Sequence, residues 1–164
     1  MPHVTISNKK CTGCHMCELA CSAWHEGAYR PSVARLRVNV NPTAMEVKGR
    51  TCLQAGCAKC EEICPEGAIL RGVITMKASD GDGAAPLSGY VLRVDETLCT
   101  NCGECYAVCP NDVIHEHPDR HVAIKCDLCD GDPQCRVFCQ NPHVLAVSLR
   151  SSKADRELAI SQAG

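Results

Sequence analysis

Apolar and β-branched residues in this chain come in short runs separated by polar and glycine-rich stretches. Residues 4–6, 36–40, 73–76, 90–94, 121–124 and 144–149 each read as a short strand. His117-Pro118-Asp119-Arg120 predicts a hairpin turn between Val113-Ile114 and the run at 122–124. Residues 78–89, rich in Gly, Asp, Ser and Pro, predict an exposed loop joining two strands. Helical periodicity is faint. The tail at 151–164 carries it weakly through Leu158 and Ile160, and is expected to fray or to serve as a docking segment. No apolar run approaches the ~20 residues that span a bilayer.

Composition changes this picture. The 164 residues include one Phe, one Trp, three Tyr and 16 Cys. Side chains alone would make a thin core, so a group bound by the cysteines is expected to fill the interior and to belong to the fold. The formal charge of −2 gives no reason to expect nucleic acid. Residues 1–6 show neither a charged n-region nor an apolar h-region, so the expectation is a cytoplasmic protein with no membrane span. A reducing compartment disfavours a disulfide framework.

The cysteines fall into four quartets with none left over. They are Cys11-x2-Cys14-x2-Cys17-x3-Cys21, Cys52-x4-Cys57-x2-Cys60-x3-Cys64, Cys99-x2-Cys102-x2-Cys105-x3-Cys109 and Cys126-x2-Cys129-x5-Cys135-x3-Cys139. Pro65 follows the second and Pro110 the third. The first and third match the bacterial ferredoxin run, whose first three thiolates wrap one face of a [4Fe–4S] cubane. The fourth thiolate lies a helical turn further on and, in two-cluster ferredoxins, ligates the other cluster. Gly13, Gly56 and Gly103 suit a loop that passes close to inorganic sulfide, and the prolines turn the chain out of it.

Zinc is the alternative for soft thiolates, but three cysteines in seven residues overcrowd one tetrahedral ion. A plant-type [2Fe–2S] site is the alternative for the second quartet alone, and Cys64-Pro65 argues against it. The expected content is four [4Fe–4S] clusters. An internal repeat supports it: Cys60-Glu-Glu-Ile-Cys64-Pro65-Glu-Gly-Ala-Ile69 parallels Cys105-Tyr-Ala-Val-Cys109-Pro110-Asn-Asp-Val-Ile114. The fold class read from these elements is α+β, a duplicated bacterial-ferredoxin-like (βαβ-type) polyferredoxin with short helices, short antiparallel strands and long loops.

Residues 4–149 resemble the four-cluster iron–sulfur subunits of molybdenum and tungsten oxidoreductases, formate hydrogenlyases and hydrogenases. Cys17-Glu-Leu-Ala-Cys21-Ser22, His25-Glu26-Gly27 and Pro31-Ser-Val-Ala-Arg-Leu-Arg-Val38 resemble the small subunits of tungsten-dependent aldehyde oxidoreductases and related benzoyl-CoA reductases. The resemblance implies crossed ligand sets. Cys11, Cys14 and Cys17 would share a cluster with Cys139, and Cys126, Cys129 and Cys135 one with Cys21. Cys52, Cys57 and Cys60 would go with Cys109, and Cys99, Cys102 and Cys105 with Cys64. Residues 1–150 would form one four-cluster domain, with quartets 11–21 and 126–139 in one lobe and 52–64 and 99–109 in the other, ahead of the tail at 151–164.

Ser22 and Gln140 stand where the family pattern has proline, and Ala55 stands where larger relatives carry a cysteine. The resemblance implies electron transfer between a large catalytic subunit and a flavin or other acceptor subunit, with no catalysis by the chain itself. No nucleophile–base pair, P-loop or nucleotide fingerprint is present. A freely diffusing polyferredoxin and a metal-dependent structural or sensing module are the alternatives. Because both ends of a cluster chain must reach the surface, copies are also able to stack end to end. His15 and His25 are not expected to ligate, Trp24 is expected to pack, and Asp127, Asp130 and Asp132 are expected on a solvated loop.

Overall fold

The computed structural model describes residues 2–76 and 87–149. Most of the predicted loop (78–86) and the tail (151–164) lie outside the described residues. The rest is α+β: four short helices and eight short strands, paired into four two-stranded antiparallel sheets.

β1 (Pro2–Ile6) pairs with β8 (Leu145–Leu149), so the first and last described strands close on each other. β2 (Arg37–Asn41) and β3 (Glu46–Arg50) form a hairpin whose second strand the residue pattern did not predict. β4 (Ile69–Met76) and β5 (Leu87–Val94) form the longest pair, and β5 takes in the last three residues of the predicted loop. β6 (His115–Glu116) and β7 (Ala123–Ile124) flank the predicted turn.

Each helix starts at or just before the third cysteine of a quartet. They are α1 (Met16–Glu26), α2 (Lys59–Ile63), α3 (Glu104–Ala107) and α4 (Gln134–Val137). Helices α2 and α3 last about one turn. Pro65 disfavours helical backbone at the residue before it, and Cys64 is extended (φ −67°, ψ 113°). Ser22 leaves that stop out after the first quartet, and α1 runs on to a left-handed Gly27 cap, whose N–H donates to Ala23 O; Gln140 leaves it out after the fourth, where α4 still ends within one turn.

Two apolar clusters form the core. One gathers Val4, Leu36, Ile74, Met76, Val91, Leu128 and Leu145 around thiols of the first and fourth quartets. The other gathers Ala55, Ile69, Leu92, Ile114 and Ala123 around thiols of the second and third. The β4–β5 hairpin divides them. Alternation along β5 sends Val91 to the first cluster and Leu92 to the second.

Candidate functional site

The cysteine loops share a backbone device. His15, Ala58 and Gly103, each directly after the second cysteine of its quartet, are left-handed caps of α1, α2 and α3. Asp130, directly after Cys129, is left-handed too. The residues before the second cysteine in quartets one, three and four, Gly13, Asn101 and Leu128, also have positive φ. In quartets one and three the cysteine between them has negative φ, and such alternating hands turn successive N–H groups inward and make an anion-binding concavity; in the fourth, Cys129 is left-handed as well, with φ 46°. In the second quartet, the extra residues between Cys52 and Cys57 form a 3₁₀ turn at Gln54–Gly56, so Gly56 is part of a turn and Gln54 takes the positive φ.

Thiols from different quartets converge. Cys11, Cys14 and Cys17 line an open cavity of about 650 Å³ with Cys139. Cys52, Cys57 and Cys60 line one of about 320 Å³ with Cys109. Cys99, Cys102 and Cys105 line one of about 350 Å³ with Cys64. Burial pushes the Cys135 thiol well above its ordinary range, and Cys126, Cys129 and Cys21 around it push the same way. Each set therefore joins three thiols of one quartet to the last thiol of another.

Neighbouring sets also meet. Cys17 acts on Cys135, Cys52 is the foremost charged neighbour of Cys126, and Cys60 is that of Cys105. The four sets thus lie in a row that begins with the Cys11 set, passes the Cys126 and Cys52 sets, and ends with the Cys99 set. Cys14 and Cys102 are the two exposed cysteines, and they belong to the first and last sets.

The donor chemistry fits an iron–sulfur core. Burial pushes Cys17, Cys105 and Cys129 up to about 12 and Cys60 to about 11. Thiolates this buried and this close need a cationic core among them. Backbone N–H groups point at the sulfurs: Gln54 N–H donates to Cys52 Sγ, Ala68 to Cys64, Ala123 to Cys99 and Arg35 to Cys21, each at 3.3 Å, and Val113 to Cys109 at 3.5 Å. Such bonds favour the charged sulfur.

The histidine and aspartate expectations fare differently. His25 Nδ1 lies 2.8 Å from Cys21 O and Nε2 lies 2.9 Å from Asp127 Oδ1. Acceptors on both ring nitrogens suit an imidazolium. Burial pulls His25 down, but the hydrogen bonds to Asp127 and Cys21 override it and raise it to about 9. Asp127 is no solvated loop residue: its other oxygen accepts from Arg35 at 2.7 Å, and Oδ1 also accepts Cys129 N–H. Burial opposes its charge, yet His25 and Arg35 hold its carboxyl far below the usual range. Asp130 is exposed and pairs with Arg93 at 2.6 Å, and Asp132 is half-buried. His15 sits 2.5 Å from Glu18, whose other oxygen accepts Val38 N–H.

Trp24 does not pack inside. It is 50% exposed, in a groove with Tyr29 and Phe138 that meets the Cys11 cavity at Met16. The exposed ring follows from α1 continuing past Cys21, which carries residue 24 out to the surface. Gln54 and Lys125, both buried and described below, escaped the residue pattern altogether.

Soft-thiolate sets in a small α+β chain of short hairpins define a [4Fe–4S] electron carrier of ferredoxin type. The 4Fe-4S binding domain family matches residues 92–115, which include the third quartet. The polyferredoxin-like subunit of the aliphatic sulfonate oxidoreductase of Pyrococcus furiosus is 32% identical over 136 residues, 83% of this chain and 70% of that one. The chain belongs to this family of polyferredoxin-like electron-transfer subunits of oxidoreductases.

Formate hydrogenlyase subunit 2 of Escherichia coli K12 is 29% identical over 96% of this chain and 89% of its own. A chain of the active site complex BamBC of benzoyl coenzyme A reductase with 1,5-dienoyl-CoA has the same overall fold, with a TM-score of 0.50, 23% identity, and coverage of 98% of this chain and 88% of that one. No helix among the described residues is long and apolar enough to cross a membrane.

Proposed function

We propose that the chain holds four [4Fe–4S] clusters, one in each mixed set of thiols, and relays electrons between a large catalytic subunit and an acceptor subunit, flavin-bearing or other. The observation that carries this reading is the row of four thiol sets whose end members own the two exposed cysteines, Cys14 and Cys102. When bound, such clusters supply one-electron carriers whose potentials follow net charge, hydrogen bonds and exposure. The chain's own residues do the rest. The cysteines hold the irons, the inward N–H groups of Ala68, Val113, Ala123 and Arg35 steady the sulfurs, and the apolar clusters keep water from the inner sets.

The partner reading rests on resemblance. The segments at 17–22, 25–27 and 31–38 support a tungsten or molybdenum catalytic subunit of the aldehyde-oxidising kind. The sulfonate oxidoreductase named for the P. furiosus relative supports an oxidoreductase more generally. The exposed ends also leave room for copies to stack head to tail.

Anaerobic purification from the native host tests the reading. A fixed complex with a large subunit that carries tungsten or molybdenum is the expected result. A monomer that elutes alone at every concentration would favour a diffusing carrier, and a chain rich in zinc would remove the relay.

A further inference from the structure

Lys125 is the one buried lysine or arginine among the described residues, 2% exposed. Its Nζ donates to Leu92 O at 2.6 Å, to Cys126 O at 3.1 Å and to Gln54 Oε1 at 3.4 Å. All three acceptors are neutral. Among the described residues no carboxylate is hydrogen-bonded or ion-paired to this ammonium. Burying a charge with no opposite charge to answer it is expensive, so its retention calls for a counter-charge.

Gln54 builds the place for it. Its Oε1 accepts Leu92 N–H at 3.2 Å as well as the ammonium, and its Nε2 donates to Cys126 O at 2.8 Å. Both side chains thereby cap the free edge of β5, the strand that divides the two apolar clusters. Gln54 lines the cavity of the Cys52 set, and Cys126 belongs to the neighbouring set. The ammonium stands at the seam between the two inner members of the row. Burial raises the Cys60 thiol, and the Lys125 charge is the foremost influence opposing that rise.

We propose that the Lys125 ammonium sets the reduction potential of the two inner clusters, holding them above the potential that the same thiolates would give without it. This rests on the four-cluster reading. A [4Fe–4S] core with four thiolates is an anion, and it gains one further negative charge on taking up an electron. A fixed cation at the seam therefore favours the reduced form of the two inner sites. The outer sites lie beyond them, where the same charge is weaker and more screened. Lys125 touches carbonyl oxygens and no thiol, so it acts as a tuning residue and not as a ligand.

Lys125→Met keeps the length and burial of the side chain and removes its charge. Gln54→Glu keeps the shape at position 54 and gives the ammonium a carboxylate partner. EPR-monitored redox titration of each cluster-loaded variant, beside its iron content, reads the outcome. In both variants two of the four midpoint potentials should fall while two stay, at wild-type iron content. Four unchanged midpoints in either loaded variant overturn the proposal, as does an equal shift of all four. Failure of both variants to load iron overturns it too, because the charge would then serve assembly. A wild-type chain without iron–sulfur clusters would sink the underlying reading instead, and that result appears before any variant is compared.

Discussion

The two halves of the core hold their thiols by different means. Around the second and third quartets the repeat is close. Cys64 and Cys109 each receive the N–H four residues on, from Ala68 and Val113, and each is followed by proline. The surroundings there are mostly alanines, aliphatics and backbone, with the buried Gln54 and Lys125 side chains at the Cys52 set. Around the first and fourth quartets the match breaks. Cys21 sits inside an 11-residue helix and receives Arg35 N–H from another segment. Charged side chains close in: His25, Asp127 and Arg35 link α1 to the fourth quartet, and Glu18 ties it to β2. One half holds its sites by local repetition, the other by long-range ion pairs. The second kind of site responds to pH through His25 and Asp127, whereas the charge that acts beside the first is the buried Lys125 ammonium.

Iron removal should erase the comparison altogether. Both apolar clusters are built around thiols, so chelation without denaturant should collapse protease resistance in both halves at once. A folded, protease-resistant apo chain would separate the core from its metal.

Single ligand removals come next. Cys64→Ala should cost the cluster at Cys99, Cys102 and Cys105, and Cys109→Ala the one at Cys52, Cys57 and Cys60, each a loss of about four irons. Spectra that place each lesion within its own quartet would rule out the crossing.

Asp127→Asn sharpens the difference between the halves. It leaves His25 and Arg35 buried without their shared anion, at a cost of about 3–5 kcal/mol in unfolding free energy. The pH dependence has a definite sign. His25 is raised from 6.5 to about 9, so its contribution is complete below about 6.5 and is lost as pH rises through 9. Asp127 is depressed, so its contribution is present at neutral pH and is lost on acidification. Denaturant titrations of the loaded protein should show a loss of up to about 3 kcal/mol between pH 6.5 and 10, absent in His25→Gln. A wild-type profile as flat as that of the variant would mean that the imidazolium adds nothing.

The smallest effect is expected in the other half. Glu61 and Arg71 form a two-pronged pair at 2.6 and 2.7 Å, but the arginine is exposed. Glu61→Gln should cost no more than about 1 kcal/mol, with no change in iron content.

The third quartet was legible because cluster ligation is written in local spacing, and the family match at 92–115 falls on it. The hairpin turn at 117–120 was legible for the same reason, being short and proline-marked. Strand β3 was not, because Glu46-Val-Lys-Gly-Arg50 has a single β-branched residue and owes its form to pairing with β2. The length of α1 was implicit in Ser22, but only the contrast with Pro65 and Pro110 makes it visible. Asp127 looked like a loop aspartate because Arg35 is 92 residues away and His25 102. Lys125 and Gln54 are 71 residues apart, and no periodicity marks either.

In the proposed relay all 16 cysteines serve four cubanes. Iron and acid-labile sulfide per chain, measured with Mössbauer spectra on anaerobically purified protein, test it most directly. About 16 irons and as many sulfides, all in [4Fe–4S] form, are expected. About four zinc ions with little iron, or a [2Fe–2S] component from the second quartet, would contradict it.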